Sequence, residues 1–181
     1  MKRESFRVFV HLARGFDPDV WEQKWSEGTL IGMNDRTPYG YGRAASENVT
    51  IEFSRDHSEG AAVRCIRLGL RVLTGFDLLH AFRNRGDMAK ADVIWTHTES
   101  QFLAIAFLKI LGLVPPRPKL LGQSVWLFDK WDRYSSLRRF FLRWLLRPVD
   151  VLTGRRRLEV RCTVGGRATE RDEAAQPLSL T

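Results

Sequence analysis

The sequence predicts an α/β fold: a doubly wound, mostly parallel sheet of about five or six strands with helices on both faces. Residues 92–121 read as strand, polar loop, apolar helix and second strand, which is one βαβ unit. The same alternation of strand-like and helix-like runs precedes it. A chain of 181 residues, 44% hydrophobic and 11% aromatic, can also bury one substantial core. Open sheets of this kind bind ligands at the carboxyl ends of their strands. Thr96, His97, Thr98 and Glu99, directly after the strand ADVIW, therefore form a candidate site.

Each element has a local cause. RVFVHLA at 7–13 is a β-rich run. Asp17 and Pro18 then open a helix as cap and first helical residue, with Trp21 and Trp25 one turn apart and Gly28 as its end. VTIEFS at 49–54 alternates like a strand. Residues 58–73 gather Ala62, Cys65, Ile66, Gly69, Leu70 and Leu73 on one helical face, with Arg64, Arg67 and Arg71 elsewhere. Residues 76–85 suit a short helix capped by Asp77, although LLHAF also fits a buried strand. The run 102–113 is interrupted only by Lys109. Thr98 and Gln101 stand at capping-box spacing before it, and Gly112 ends it. At roughly a dozen residues it is too short to span a bilayer, which takes about 20. KLL at 119–121 and VDVL at 149–152 complete the strands.

Composition narrows the function. The net charge of +8 is spread along the chain, without zinc-ligand spacing, recognition-helix pattern or aromatic RNA-binding strand, so no nucleic-acid partner is expected. Neither GxGxxG nor a P-loop is present, which argues against an NAD enzyme or an NTPase. Cys65 and Cys162 have no metal-ligand spacing and are expected to be free thiols; no metal site is expected. The start MKRES lacks a signal-peptide pattern, so the expected location is cytoplasmic.

Two segments carry candidate binding residues. The loop 28–45 holds Asn34, Asp35, Arg36, Tyr39, Tyr41 and Arg43 around Gly40 and Gly42, a set of hydrogen-bonding groups and flat faces suited to sugars and phosphates. The alternative is a long turn that packs both tyrosines on the domain. His97, at the end of a strand, is the weak catalytic candidate, and His11 shares its sheet edge; His57 and His80 read as structural or solvated. Asp35, Glu99 and Asp129 show no spacing that pairs two carboxylates. Residues 134–147 form a basic amphipathic helix capped by Ser135 or Ser136. Leu137, Phe140, Phe141, Trp144 and Leu145 line its apolar face, and Arg139, Arg143 and Arg147 gather opposite. It suits either packing on the sheet or peripheral contact with the inner face of an anionic membrane.

The residues Ala91-Asp92-Val93-Ile94-Trp95-Thr96-His97, then Leu111-Gly112, Lys119-Leu120-Leu121-Gly122 and Val149-Asp150-Val151-Leu152, in this order, resemble the N-terminal half of a GT-B glycosyltransferase of the retaining family 4. The resemblance covers residues 7–153 and implies a Rossmann-like acceptor-side domain. It further implies a sugar or lipid-linked acceptor near the glycine-bearing loop and near Gln123. A nucleotide-sugar donor would be held by a second Rossmann-like half. Where many relatives carry a catalytic histidine after the KLL strand, this chain has Gln123 and Ser124, and the donor-binding glutamate pair spaced eight apart has no match. Two segments are expected: a domain at 1–153 and a tail at 154–181, either disordered or translated out of frame, with the enzyme truncated and inactive alone. The tail has no aromatic residue, and six arginines against four acidic residues leave it about +2. The competing expectation is a non-catalytic binding module for a protein partner or a membrane surface.

Overall fold

The computed structural model describes residues 5–30 and 35–154. Five strands form one sheet: β1 (Phe6–His11), β2 (Val49–Phe53), β3 (Val93–Thr96), β4 (Lys119–Ser124) and β5 (Val151–Gly154). Their order is β2-β1-β3-β4-β5 and every neighbouring pair is parallel, a Rossmann-like arrangement. Six helices accompany them: α1 (Pro18–Ser26), α2 (Ala61–Thr74), α3 (Leu78–Arg83), α4 (Arg85–Met88), α5 (Glu99–Ile110) and α6 (Ser136–Leu145). The chain leaves β1 toward one edge and returns past it to β3. With right-handed crossovers, the connections after β1 and β3 pass to opposite faces and open a crevice between the carboxyl ends of these two strands.

The sheet's alternation sorts the core into two layers. Phe9, Ile94 and Leu120 face a large cluster contributed by α3, α5 and α6, with Phe102, Ile105 and Leu108 of α5 at its centre. Val8, Val10 and Leu12 face the other way, beneath Tyr41, Tyr39 and Phe16. Trp21 of α1 reaches this layer against Phe16 and Tyr39. Helix α5 is apolar nearly all round because it is buried nearly all round. Lys109, the charged residue of its last turn, donates its ammonium to the carbonyls of Pro116 and Pro118.

The strand-opening aspartates have a structural role. Asp92 accepts from the backbone N–H of Arg7 at 2.9 Å, and Asp150 accepts from that of Leu120 at 2.8 Å. Each carboxylate thus satisfies a donor on the neighbouring strand at the amino-terminal edge, away from the crevice. Gly122 of the KLLG run lies under α5: a Cβ there would meet Phe102 at 2.9 Å and Leu152 at 3.0 Å. Gly122→Ala is expected to cost about 1–3 kcal/mol by overpacking, read as a fall in the urea unfolding midpoint.

Several helix ends follow the sequence signals. Asp17 caps α1 with Pro18 at its start, Asp77 caps α3 by accepting from the N–H of His80, and Ser135 caps α6. The segment 76–85 is helical rather than strand, ending in the further short turn α4. The loop 28–45 is less open than the sequence implied, because Pro38–Ala44 folds into 3₁₀ turns.

Helix α2 forms as expected, with an orientation that its periodicity does not specify. Its apolar face exists but points outward, while Arg67 is the residue it buries. Arg67 bonds Glu59 and Asp77 beneath the helix, leaving Val72 at 87% and Leu73 at 82% exposure. Helix α6 divides its apolar side. Leu142 and Leu145 enter the core, whereas Leu137 (79%) and Phe140 (68%) face outward and Phe141 is partly exposed. No helix of the described residues is long and apolar enough to cross a membrane. Asn34, Cys162 and residues 155–181 of the expected tail lie outside the described residues.

Candidate functional site

His97 emerges directly after β3 at the crevice. Gln101 fixes the backbone there, its side-chain oxygen accepting from the N–H groups of His97 (2.9 Å) and Thr98 (2.8 Å), so α5 begins at the strand's end. The imidazole is held from two sides by the 3₁₀ segment. Tyr39 stacks on it with ring centroids 4.1 Å apart, and the Tyr41 hydroxyl meets its Nδ1 at 2.9 Å. Tyr41 in turn rests edge-on against Trp95, two residues before His97 on the same face.

Asp35 organises the segment that delivers these tyrosines. It accepts from the Thr37 N–H and hydroxyl at 3.1 Å each and pairs with Arg43 at 2.6 Å. The Thr37 N–H, assisted by its hydroxyl and by Arg43, holds the Asp35 carboxyl below its ordinary value against a smaller opposing effect of burial. Thr37 then accepts from the N–H of Gly42 at 3.0 Å. A Cβ on Gly42 would lie 2.5 Å from the Thr37 methyl, so this turn requires glycine. Tyr39 itself has φ 53°, a left-handed conformation that a bulky residue adopts at a cost of about 1–3 kcal/mol. Its stack on His97 and its packing against Phe16 and Trp21 hold it there.

The sequence candidates therefore divide. Tyr39, Tyr41 and His97 converge, with Asp35, Gly40, Gly42 and Arg43 forming the turn behind them. Arg36 points away and pairs with Glu22 of α1. Gln123 lies on β4 two residues beyond the Leu121–Trp95 pair, on the same face as His97. Tyr41 is buried, with its hydroxyl on His97 rather than a ring face open to solvent. Glu99 is committed elsewhere: one oxygen accepts from the N–H groups of Val125, Trp126 and Leu127 in the loop after β4. Asp129 is exposed. Among the described residues, no three His, Cys, Asp or Glu side chains gather as a metal-ligand set.

A histidine pair was not legible in the sequence. His11, at the end of β1, stacks on His80 of α3 with centroids 5.0 Å apart, and His80 Nε2 meets the Leu12 carbonyl at 3.2 Å. Burial, and then the neighbouring His80, hold His11 well below the ordinary histidine value of 6.5. Burial lowers His80 as well, against the pull of Asp56 and Asp77. Half-burial lowers His97. All three are thus neutral at neutral pH.

A folded value below 6.5 means that the native protein binds fewer protons than the unfolded chain as acidity increases. The stability contribution of His11 and His80 is complete above pH 6.5 and declines as pH falls below it. The slope is at most about 1.4 kcal/mol per pH unit for each. Urea unfolding midpoints measured from neutral to mildly acidic pH should fall. In a His11→Phe, His80→Phe double variant the pH dependence should flatten.

Compared with family models, with curated proteins and with solved structures, the chain matches none.

Proposed function

We propose that this chain is the acceptor-side half of a GT-B glycosyltransferase, which binds a sugar or lipid-linked acceptor at the carboxyl ends of β1 and β3. The observation carrying this proposal is His97 clasped by Tyr39 and Tyr41 at the switch point of the sheet. When its Nδ1–H donates to the Tyr41 oxygen, Nε2 keeps a lone pair with which to accept a hydrogen bond, or a proton, from an acceptor hydroxyl. A neutral imidazole is the form that this role needs, and partial burial favours it. Gln123 adds an amide on the same face for a second sugar hydroxyl. The nucleotide-sugar donor belongs to a second half, so no transfer step is assigned to these residues alone.

Saturation-transfer NMR with a panel of simple glycosides at millimolar concentration tests this reading. At least one glycoside is expected to bind, and His97→Ala should weaken it about tenfold, the loss of a well-placed hydrogen bond. If none binds, or if binding ignores His97, the acceptor reading fails.

The outward faces of α2 and α6 favour a second reading, peripheral attachment to an anionic membrane. Leu137, Phe140 and Phe141 stand exposed beside Arg143 and Arg147, with Arg139 less exposed on the same flank. Co-sedimentation with phosphatidylcholine vesicles, with and without phosphatidylglycerol, distinguishes attachment from a purely structural helix. Binding should require the anionic lipid, and Arg143→Gln should lower partition roughly fivefold, equivalent to about 1 kcal/mol per arginine. Equal binding to both vesicles would remove the electrostatic part.

A further inference from the structure

The histidine pair belongs to a recess of about 150 Å³ between β1, α2, α3 and the start of α5. His11, Arg14, Arg71, His80, Ser100 and Gln101 line most of it. His11 is only 1% exposed and its Nδ1 has no hydrogen-bond partner. Native structures keep few such orphaned buried groups. The cations around it are not fully used. Arg14 pairs with Glu59, but Arg71 has no ion-pair partner among the described residues. Asp77, the acidic residue of the lining, is neutralised by Arg67 at 2.9 Å. Ser100 and Gln101 sit in the first turn of the 12-residue helix α5, whose amino-terminal end carries partial positive charge. Two arginines, a helix start, a hydroxyl and a histidine lacking a partner thus converge on a small recess whose one acid is already paired.

We infer that this recess binds the phosphoryl group of a phosphorylated ligand. Arg71 and Arg14 supply charge from the rim, the start of α5 supplies backbone dipoles and the Ser100 hydroxyl, and the His11–His80 pair forms the inner wall. The site lies on the opposite face of the sheet edge from the His97 cluster. It stands independently of the acceptor proposal, because a free phosphate needs no glycosyl chemistry to be bound.

The test is a titration of the full chain with inorganic phosphate at constant ionic strength, followed through the histidine ring ¹⁵N signals and by calorimetry. Saturable binding is expected, with the His11 and His80 signals moving, and Arg71→Gln should weaken it about fivefold or more, one exposed charge-assisted contact. Arg71 is exposed on α2 and has no ion-pair partner among the described residues, so its replacement leaves folding intact; Arg117→Gln, at the amino-terminal edge of the sheet beside Asp92, serves as the control and should bind normally. A second arm uses a short-chain phosphatidate. Tighter binding of it than of inorganic phosphate, lost equally in Arg71→Gln, identifies a lipid headgroup as the source, whereas equal binding identifies a free phosphoryl compound. No saturable binding, movement of the His97 signal alone, or an affinity unchanged in Arg71→Gln would overturn the assignment.

Discussion

Replacing Arg67 with alanine is expected to lower stability by about 3 kcal/mol, as measured by urea denaturation, the largest effect of any single charge removal described here. Arg67 is the residue that α2 turns inward. Its guanidinium reaches Glu59 at 3.0 Å and Asp77 at 2.9 Å, and Glu59 also receives Arg14 at 3.3 Å. The carboxylate of Glu59 is covered by the side chains around it, and the bond from Arg67 keeps its carboxyl below the ordinary range against a smaller desolvation effect. Removing the arginine leaves Glu59 with Arg14 as its ion-pair partner and the weaker field of Arg83, and frees Asp77, which caps α3. The expected loss is at the low end for a broken buried pair because the network lies in a shallow layer and Arg14 remains. Arg67→Met combined with Glu59→Gln and Asp77→Asn should recover part of it, since no ion is then left uncompensated. A loss below 1 kcal/mol for Arg67→Ala would mean that water already serves both acids.

The orientation of α2 shows where sequence reading stops. Periodicity finds an apolar face but does not say whether that face meets the core, and here the partners that pull Arg67 inward lie eight residues before it and ten after it in the chain. No i,i+4 pattern announces such a triad. By contrast, signals contained within one turn were legible: Asp17 with Pro18, Asp77 before α3, Thr98 to Gln101 before α5. The parallel strands and the buried α5 were legible for the same reason, since their hydrophobic patterns are continuous. The candidate site was legible in part. The position of His97 after β3 follows from the βαβ unit, but its bond to Tyr41, 56 residues away, depends on a turn whose geometry rests on Asp35, Thr37 and Gly42 together. The stacking of His11 on His80 is equally non-local, and the apolar text LLHAF concealed it.

Glu99 carries the second large expectation, because a single carboxylate oxygen closes the loop after β4. It accepts from the N–H of Val125 at 2.5 Å and of Leu127 at 2.9 Å, from that of Trp126, and from the Ser124 hydroxyl at 3.3 Å. Burial pushes the Glu99 carboxyl up, but the N–H groups of Trp126, of Glu99 itself, of Leu127 and of Val125 outweigh it and hold the value below the ordinary 4.5. With the folded value depressed, this contribution is complete above pH 4.5 and is lost as pH falls through the lower folded value. Glu99→Ala removes the acceptor of three consecutive backbone donors. Hydrogen bonds to a charged group are each worth about 1.5–3 kcal/mol, and because Val125 and Trp126 can turn to water, the net loss should be about 2–3 kcal/mol. Glu99→Gln keeps an oxygen in place without its charge and should lose roughly half as much. The two variants separate shape from charge: equal losses would show that the negative charge carries the whole effect, while an intact Gln variant that no longer weakens near pH 4 would assign that acid sensitivity to this carboxylate. Hydrogen exchange at Val125, Trp126 and Leu127 provides a local readout. Those three amides should exchange faster in Glu99→Ala while the amides of β4 remain protected, since a carboxylate that tethers only the loop leaves the strand's own ladder intact.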